Sequence, residues 1–149
     1  MSQHTSSDPV IIEALRSGVI TADPETGRVY RNGRMVAAGV TRAGYRITRV
    51  AKRNCLQHRI VWIAANGPIP DGLEINHRNG LRDDNRLANL ELVTRSQNVR
   101  HARANAALRD YPTEALDPEF LDRLTVAASS AHTTRKQWAE FKDELARIA

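Results

Sequence analysis

Three polar residues lie at spacings that suit hydrolytic chemistry: His77, Asn89 twelve positions later, and Asn98 nine positions beyond that. An imidazole whose pKa lies near neutrality can take a proton from a water molecule. Amide oxygens can coordinate a hard divalent cation, which stabilises a charged transition state and a departing oxygen. Asn76, the neighbour of His77, offers another such oxygen. The segment therefore contains residue types that could act as a base and as oxygen ligands of a cation.

Two short apolar pieces must position these residues. LEIN and NLELV bracket a polar loop and predict two strands, with His77 at the end of the first. Thr94 and Gln97 have the spacing of a capping box, which predicts a helix over about residues 95–107. Asn98 then lies in the first turn of that helix, where its side chain can face the strand end. The local order is strand, loop, strand, helix.

The elements upstream are short. Asp8 and Pro9 open a predicted helix that stops at Gly18. The Asn32-Gly33 pair predicts a hairpin turn, because both central positions of such a turn favour positive φ. We interpret residues 18–57 as a small twisted antiparallel sheet, followed by a buried helix, HRIVWIAAN, over 58–66.

Downstream, two helices are predicted in the tail. Asp117 caps the first and Thr134 the second, with apolar residues recurring at helical spacing in both. Trp138 and Phe141 fit helix packing better than base stacking. The fold class is therefore α+β. The predicted division is 1–57, a basic β region after the first helix; 58–110, the strand–loop–strand–helix core; and 111–149, a helical tail.

The string HRIVWIAANGPIPDGLEINHRNGLRDDNRLANLELVTRSQN, residues 58–98, resembles the HNH endonuclease family in its phage- and intron-encoded, homing-type branch. That branch typically shows a His-Arg-aliphatic helix, a Gly-Pro-x-Pro-x-Gly link, a histidine, a glycine-containing loop, Asn-Leu-x-x-Val and a closing Ser-x-Asn. The resemblance covers about 40 of the 149 residues. It implies a ββα-metal nuclease unit after the small sheet.

The resemblance also implies roles. His77 is the general base, Asn89 braces the loop, and Asn76 and Asn98 hold one Mg²⁺ or Mn²⁺ ion. Products would carry 5′-phosphate and 3′-hydroxyl ends. His58 and His101 are possible auxiliary residues, His58 more as a packed or capping side chain and His101 as a phosphate contact.

One residue departs from the family's pattern. Asn76 stands where the branch often has aspartate, and an amide oxygen is a weaker ligand for a hard cation than a carboxylate. Either the site needs more Mg²⁺ or prefers Mn²⁺, or it has lost activity. Asp83 and Asp84 in the loop could supply the missing charge.

The distribution of charge indicates a polyanionic partner. The chain carries a net +5, and residues 26–70 contain nine arginines and lysines without one aspartate or glutamate. Cations of this density release the counterions of nucleic acid, and arginine suits phosphate geometry. Double-stranded DNA is the expected partner. The expected DNA-binding residues are Arg42, Arg46, Arg49, Lys52, Arg53, Arg78 and Arg95.

Cysteine content and hydropathy exclude other classes. The single cysteine, Cys55, excludes an internal disulfide and a cysteine-rich structural zinc site, so no structural zinc is expected. No apolar run reaches the roughly 18 residues of a membrane helix. We expect a cytoplasmic protein of a bacterium or a phage-infected cell. Monomer and homodimer both remain open, as do homing, restriction and phage genome processing.

Two other functions compete with a nuclease. The first is a DNA-binding protein that keeps the HNH scaffold without cleaving, which Asn76 makes conceivable. The second is an RNA substrate, which is disfavoured because the basic segment groups no stacking aromatics.

Overall fold

A computed structural model describes residues 7–109, Glu114 and 116–148. The helices are α1 (Asp8–Arg16), α2 (Gln57–Asn66), α3 (Arg95–Arg109), α4 (Pro118–Ala128) and α5 (Arg135–Ile148). The strands are β1 (Ile20–Asp23), β2 (Arg28–Arg31), β3 (Arg34–Met35), β4 (Gly39–Val40), β5 (Arg46–Val50), β6 (Arg53–Leu56), β7 (Leu73–His77) and β8 (Leu90–Thr94). A 3-10 turn, Leu87–Asn89, precedes β8. The predicted α+β class is confirmed.

The strands before α2 divide into two antiparallel sheets rather than the single sheet expected. One has the order β1-β2-β3 and the other β4-β5-β6. Asn32 and Gly33 have φ of 47° and 77°, as the hairpin prediction requires. The β5–β6 hairpin turns through Ala51 and Lys52, whose φ values are 45° and 66°. Neither residue type favours that backbone region, so this turn carries no local sequence signal.

Helix α2 forms the centre of the main core. Its Ile60 and Val61 are fully buried among residues of α1, both sheets and the β7–β8 hairpin. Arg59, on the same helix, donates two hydrogen bonds to the Asp8 carboxylate, of 2.8 and 2.7 Å. This half-buried pair fastens α1 to α2. The apolar residues of α2 therefore hold the β7–β8 hairpin in place through this core.

The predicted strand–loop–strand–helix unit is present. Strands β7 and β8 pair antiparallel, with His77 opposite Leu90. The Gln97 N–H donates to Thr94 Oγ1 at 3.3 Å, and Thr94 N–H donates to Gln97 Oε1 at 2.8 Å. These two bonds form the expected capping box at the start of α3.

The tail has its own small core. Phe120 and Leu124 of α4 are buried against Trp138 of α5. The Asp117 carboxylate accepts the first free backbone N–H groups of α4, and Thr134 forms a reciprocal pair with Gln137 at the start of α5. Both predicted caps are therefore confirmed. Within the residues described, no helix is long and apolar enough to cross a membrane.

The β1–β2 turn lies directly against the loop that follows β7. The Leu87 N–H donates to the Pro24 carbonyl at 2.8 Å. Gly27 has φ of +68°, and a Cβ there would lie 2.4 Å from the carbonyl carbon of Asn85. The backbone of Asn85 therefore rests on a position that only glycine fills without displacement.

We predict that Gly27→Ala lowers the free energy of unfolding by about 1–3 kcal/mol, because the added methyl overlaps fixed backbone atoms. Denaturant unfolding measures this change. Gly18→Ala is the matched control: Gly18 has φ of +73° and open space around its Cβ position, so it reports the backbone strain alone. Equal losses in the two variants would contradict the contact with the loop.

Candidate active site

The loop between β7 and β8 is closed by Asn89. The Asn89 Oδ1 accepts the Asn79 N–H at 3.0 Å, and its Nδ2 donates to Asn79 Oδ1 at 3.0 Å and to the Asp84 carbonyl at 2.9 Å. The Arg78 N–H also donates to the Asn89 carbonyl, at 2.8 Å. Three of these bonds involve the buried Asn89 side-chain amide and the fourth its backbone carbonyl, and together they tie Arg78, Asn79 and Asp84 to Asn89, as a bracing role requires.

His77 ends β7 with its ring almost fully buried. Its Nε2 lies 3.1 Å from Asn85 Oδ1. Because a carbonyl oxygen only accepts, this bond requires the proton of the neutral ring on Nε2, leaving the lone pair on Nδ1. Burial lowers the pKa of His77 from its usual value, against the opposing effects of the Asn85 bond and the Asp84 carboxylate. The ring is therefore held as a neutral base.

Two aromatic side chains hold the His77 ring from the core side. The His58 ring meets it edge to face with centroids 5.0 Å apart, and the Tyr45 ring lies 6.0 Å away. His58 Nδ1 is buried without a hydrogen-bond partner among the residues described. Burial, together with His77 and Arg59, lowers the pKa of His58 to about 3. His58 is therefore a neutral packed ring, as its place in an apolar helix suggests.

Asn76 lies on the opposite face of β7, because successive strand residues alternate. Its Nδ2 is 2.8 Å from Oε1 of Glu91, the residue paired with it in β8. The same Nδ2 lies 3.2 Å from His101 Nδ1 on α3. His101 is buried, and its Nε2 lies 2.6 Å from the Ala128 carbonyl. Both ring nitrogens of His101 thus bond within the protein.

Asn98 lies on the same side as Asn76, in the first turn of α3, and its Nδ2 donates to Glu74 Oε2 at 2.8 Å. A carboxylate only accepts hydrogen bonds, so each amide must present its nitrogen to its glutamate. The carbonyl oxygens of Asn76 and Asn98 then face away from the carboxylates. Amide oxygens are of the ligand type that a hard cation such as Mg²⁺ or Mn²⁺ accepts. No group of three His, Cys, Asp or Glu suited to a metal occurs in the described part of the chain.

The structure does not bring the loop aspartates to this side. Asp84 accepts two hydrogen bonds from the Arg86 guanidinium and one from Asn79, which lower its pKa to about 2. Asp83 forms an exposed ion pair with Arg46 at 3.6 Å. The carboxylate bonded to Asn76 is instead Glu91, which the motif analysis passed over. Its cross-strand register with Asn76 is the signal that would have found it.

Residues 55–100 match the family model described as HNH endonuclease. The matched segment includes His77, Asn89 and Asn98. The chain is also 32% identical over 77 residues to the "SPbeta prophage-derived putative HNH homing endonuclease YosQ" of Bacillus subtilis (strain 168), covering 52% of this chain and 44% of that protein. The structure titled "DNA binding and cleavage by the HNH homing endonuclease I-HmuI" superposes with a TM-score of 0.51 at 25% identity, over 60% of this chain and 54% of that one. The chain thus spans about half the length of each.

The arginines and lysine expected to bind DNA lie on several elements, some of them before the β7–β8–α3 unit. Arg46 and Arg49 lie on β5 and Arg53 on β6, all three exposed. Arg42 and Lys52, in the loops beside these strands, are also exposed.

Two further arginines expected to bind DNA lie within the β7–β8–α3 unit. Arg78 forms an ion pair with Glu91 at 3.5 Å, and Arg95 forms one with Glu74, also at 3.5 Å. Some of the seven cations therefore carry acidic partners that a polyanion must displace.

We predict that this protein loses stability in acid because His58 is buried as a neutral ring. Its pKa is about 3 when folded and returns to 6.5 on unfolding. Between these values the unfolded state binds a proton that the native state does not, so the free energy of unfolding falls as the pH falls. The loss from this residue reaches about 2 kcal/mol at pH 5.

Denaturant unfolding at pH 7 and pH 5 measures this loss. His58→Phe keeps a ring in place and removes the titrating group, so its stability should fall less over that interval. A His58→Phe protein that loses as much as the wild type would show that another group carries the pH dependence.

Proposed function

We propose that this chain is a divalent-metal-dependent DNA endonuclease or nickase that hydrolyses phosphodiester bonds with His77 as the general base. The observation that carries the proposal is the state of the His77 ring, whose Nε2 is fastened to Asn85 while the Nδ1 lone pair stays free. This ring belongs to a segment of the HNH endonuclease family. DNA as the substrate is supported by the solved relative, whose title describes DNA binding and cleavage.

His77 would remove a proton from the attacking water. As the water oxygen bonds to phosphorus, the bond from phosphorus to the 3′ oxygen breaks and the water's proton passes to His77 Nδ1. The departing 3′ oxygen takes a proton from a solvent water and leaves as a 3′-hydroxyl, and His77 returns its proton to solvent. The lowered pKa keeps the ring in its basic form before each attack. Asn85 and the ring of His58 hold the imidazole in one orientation, and Asn89 holds the loop that carries Asn85.

Asn76 and Asn98 would hold the cation through their free amide oxygens. A bound Mg²⁺ or Mn²⁺ supplies positive charge to the transition state and the departing oxygen. Glu74 and Glu91 add negative charge beside two ligands that are themselves neutral. Because Asn76 and His77 flank the end of β7 from opposite faces, a phosphate lying across that end would meet the imidazole on one side and the amide on the other.

The basic hairpin β5–β6 would grip the DNA backbone next to this site. Tyr45, one residue before β5, contacts the His77 ring, so the hairpin and the catalytic loop share a boundary. Arg82 joins the two as well: it donates to the Ala43 carbonyl at 2.7 Å and lies 5.1 Å from the Tyr45 ring centre. A phosphate backbone bound by Arg46 or Arg49 is thereby kept near the base.

We predict that the wild-type protein nicks or linearises supercoiled plasmid in Mg²⁺ or Mn²⁺ and that His77→Ala slows this at least about 100-fold, the usual contribution of a general base. Nicked circles would indicate cutting of single strands, and linear DNA would indicate paired cuts. DNA binding by His77→Ala in the presence of EDTA is the control, and it should equal that of the wild type.

Tight binding without cleavage in either metal would instead support a DNA-binding protein that has lost catalysis, which is the competing function that Asn76 keeps open. Cleavage of RNA in preference to duplex DNA would contradict the proposed substrate.

We further predict that replacing Arg46, Arg49 and Arg53 with alanine weakens DNA binding and flattens its salt dependence. Each phosphate contact that is lost reduces the slope of log K against log salt by about 0.9, so the triple variant should lose about 2.7. Titrations at several salt concentrations measure the slope. The matched control replaces three exposed tail cations, Arg123, Lys136 and Arg147, and should leave the slope nearly unchanged. Equal slopes in both triple variants would argue against the hairpin as the grip.

A further inference from the structure

Glu91 is a buried carboxylate to which the proposed chemistry gives no role beyond its negative charge. Its side chain is 2% exposed. A charge removed from water to this extent persists only when hydrogen bonds and opposite charges replace its hydration. Three donors, the Ala131 N–H, Ser130 Oγ and Asn76 Nδ2, replace part of that hydration. The group is therefore a carboxylate with a defined set of donors.

Those donors come from two distant parts of the chain. Oε1 accepts from Asn76 Nδ2 at 2.8 Å and from the Ala131 N–H at 2.7 Å. Oε2 accepts from Ser130 Oγ at 2.8 Å and lies 3.5 Å from an Arg78 guanidinium nitrogen. Ser130 and Ala131 belong to the turn between α4 and α5, residues 129–134, which we call the tail turn. The tail turn therefore docks on the strand that faces Asn76.

The second acceptor of the Asn76 amide is anchored to the tail as well. Asn76 Nδ2 lies 3.2 Å from His101 Nδ1, and His101 Nε2 lies 2.6 Å from the Ala128 carbonyl at the end of α4. Because that carbonyl only accepts, Nε2 carries the ring proton and Nδ1 is free to accept from Asn76. Both hydrogens of the Asn76 amide thus point to groups that the tail holds.

We propose that Glu91 is a positioning residue for Asn76 and that the tail turn completes this arrangement, so that the amide oxygen of Asn76 is kept facing the cation. This inference rests on the proposed function, in which Asn76 is a metal ligand. An asparagine can rotate to present either its oxygen or its NH₂ group, and only the oxygen binds a cation. Two fixed acceptors on the nitrogen side exclude the wrong rotamer. Such fixing matters most for a neutral, intrinsically weak ligand.

A different role for Glu91 would be direct coordination after the tail turn has moved away. The contacts disfavour it, because both carboxylate oxygens are already occupied by donors. The two roles predict opposite effects when the tail turn is loosened. Positioning predicts weaker metal binding, and a masked ligand predicts stronger metal binding.

The test uses the full chain with Mn²⁺ alone as the probe. The ¹⁵N-labelled Asn76 side-chain NH₂ resonance reports its hydrogen bonds without metal, and its broadening by Mn²⁺ reports affinity. We expect Glu91→Gln to move this resonance and weaken Mn²⁺ binding about 10- to 100-fold, the usual effect of losing an outer partner of a ligand. Ser130→Ala should act in the same direction by a smaller factor, and it covers the case in which Glu91→Gln fails to fold.

Thr125→Val is the matched control. Thr125 Oγ1 donates to the Leu121 carbonyl at 2.7 Å within α4, outside the tail turn, and this bond does not involve Glu91. This variant should leave both the resonance and the affinity unchanged.

The possible outcomes separate the two proposals. Broadening of Asn76 at equal Mn²⁺ concentrations in the wild type, Glu91→Gln and Ser130→Ala would overturn the positioning role and leave the metal site standing. Tighter binding in Ser130→Ala would identify Glu91 as a masked ligand and overturn positioning. Absence of broadening at Asn76 in the wild type would overturn Asn76 as a ligand, and the inference with it.

Discussion

The alternation of side chains at the end of β7 is the constraint on which the site depends. Asn76 and His77 are adjacent in the chain, yet the pleat sends them to opposite faces. One face meets α2, Tyr45 and Asn85, and there the imidazole is buried and neutral. The other face meets α3 and the tail turn, where carboxylates collect. In the proposed mechanism, the backbone thus separates proton transfer at His77 from cation binding at Asn76, and the two residues have different surroundings.

The two faces differ in how they control charge. On the His77 side, burial disfavours protonation and no carboxylate bonds the ring directly. On the Asn76 side, Glu91 stays ionised because its donors replace the water it has lost. Close packing produces both effects, because it removes more hydration from the imidazole than the nearby charges replace and surrounds the carboxylate with donors. Removing either set of contacts would change protonation as well as shape.

The elements of this fold that sequence predicts are those with local chemical signals. Local sequence is sufficient to predict three such features: the capping pairs at Thr94 and Thr134 and the Asn32-Gly33 turn. Each depends on interactions within three residues along the chain. The Ala51-Lys52 turn has no such signal and is set by the pairing of β5 with β6. The division into two sheets depends on packing against α2, which no short window of sequence reveals.

The candidate site divides in the same way. The motif spacing is sufficient to select His77, Asn89 and Asn98 as residues for closer study. Glu91 required the strand register, and its bond to Ala131 spans 40 positions along the chain. The loop aspartates looked suitable by proximity in sequence, but Asp84 is held by its own neighbour Arg86. Composition and spacing describe which groups are present, whereas partnership among buried polar groups is decided by the folded chain.

The close contact between the Asn85 backbone and Gly27 has a consequence for recombination between this chain and its relatives. The loop of the β7–β8 hairpin packs on a turn more than 50 positions earlier in the chain. The hairpin therefore cannot be transferred onto any upstream sheet. An exchange between relatives is tolerated only if the incoming turn also leaves that position without a side chain. Chimeras with a crossover between β2 and α2 should therefore be viable where both parents have glycine there, and their failure elsewhere would trace to the side chain added at this position.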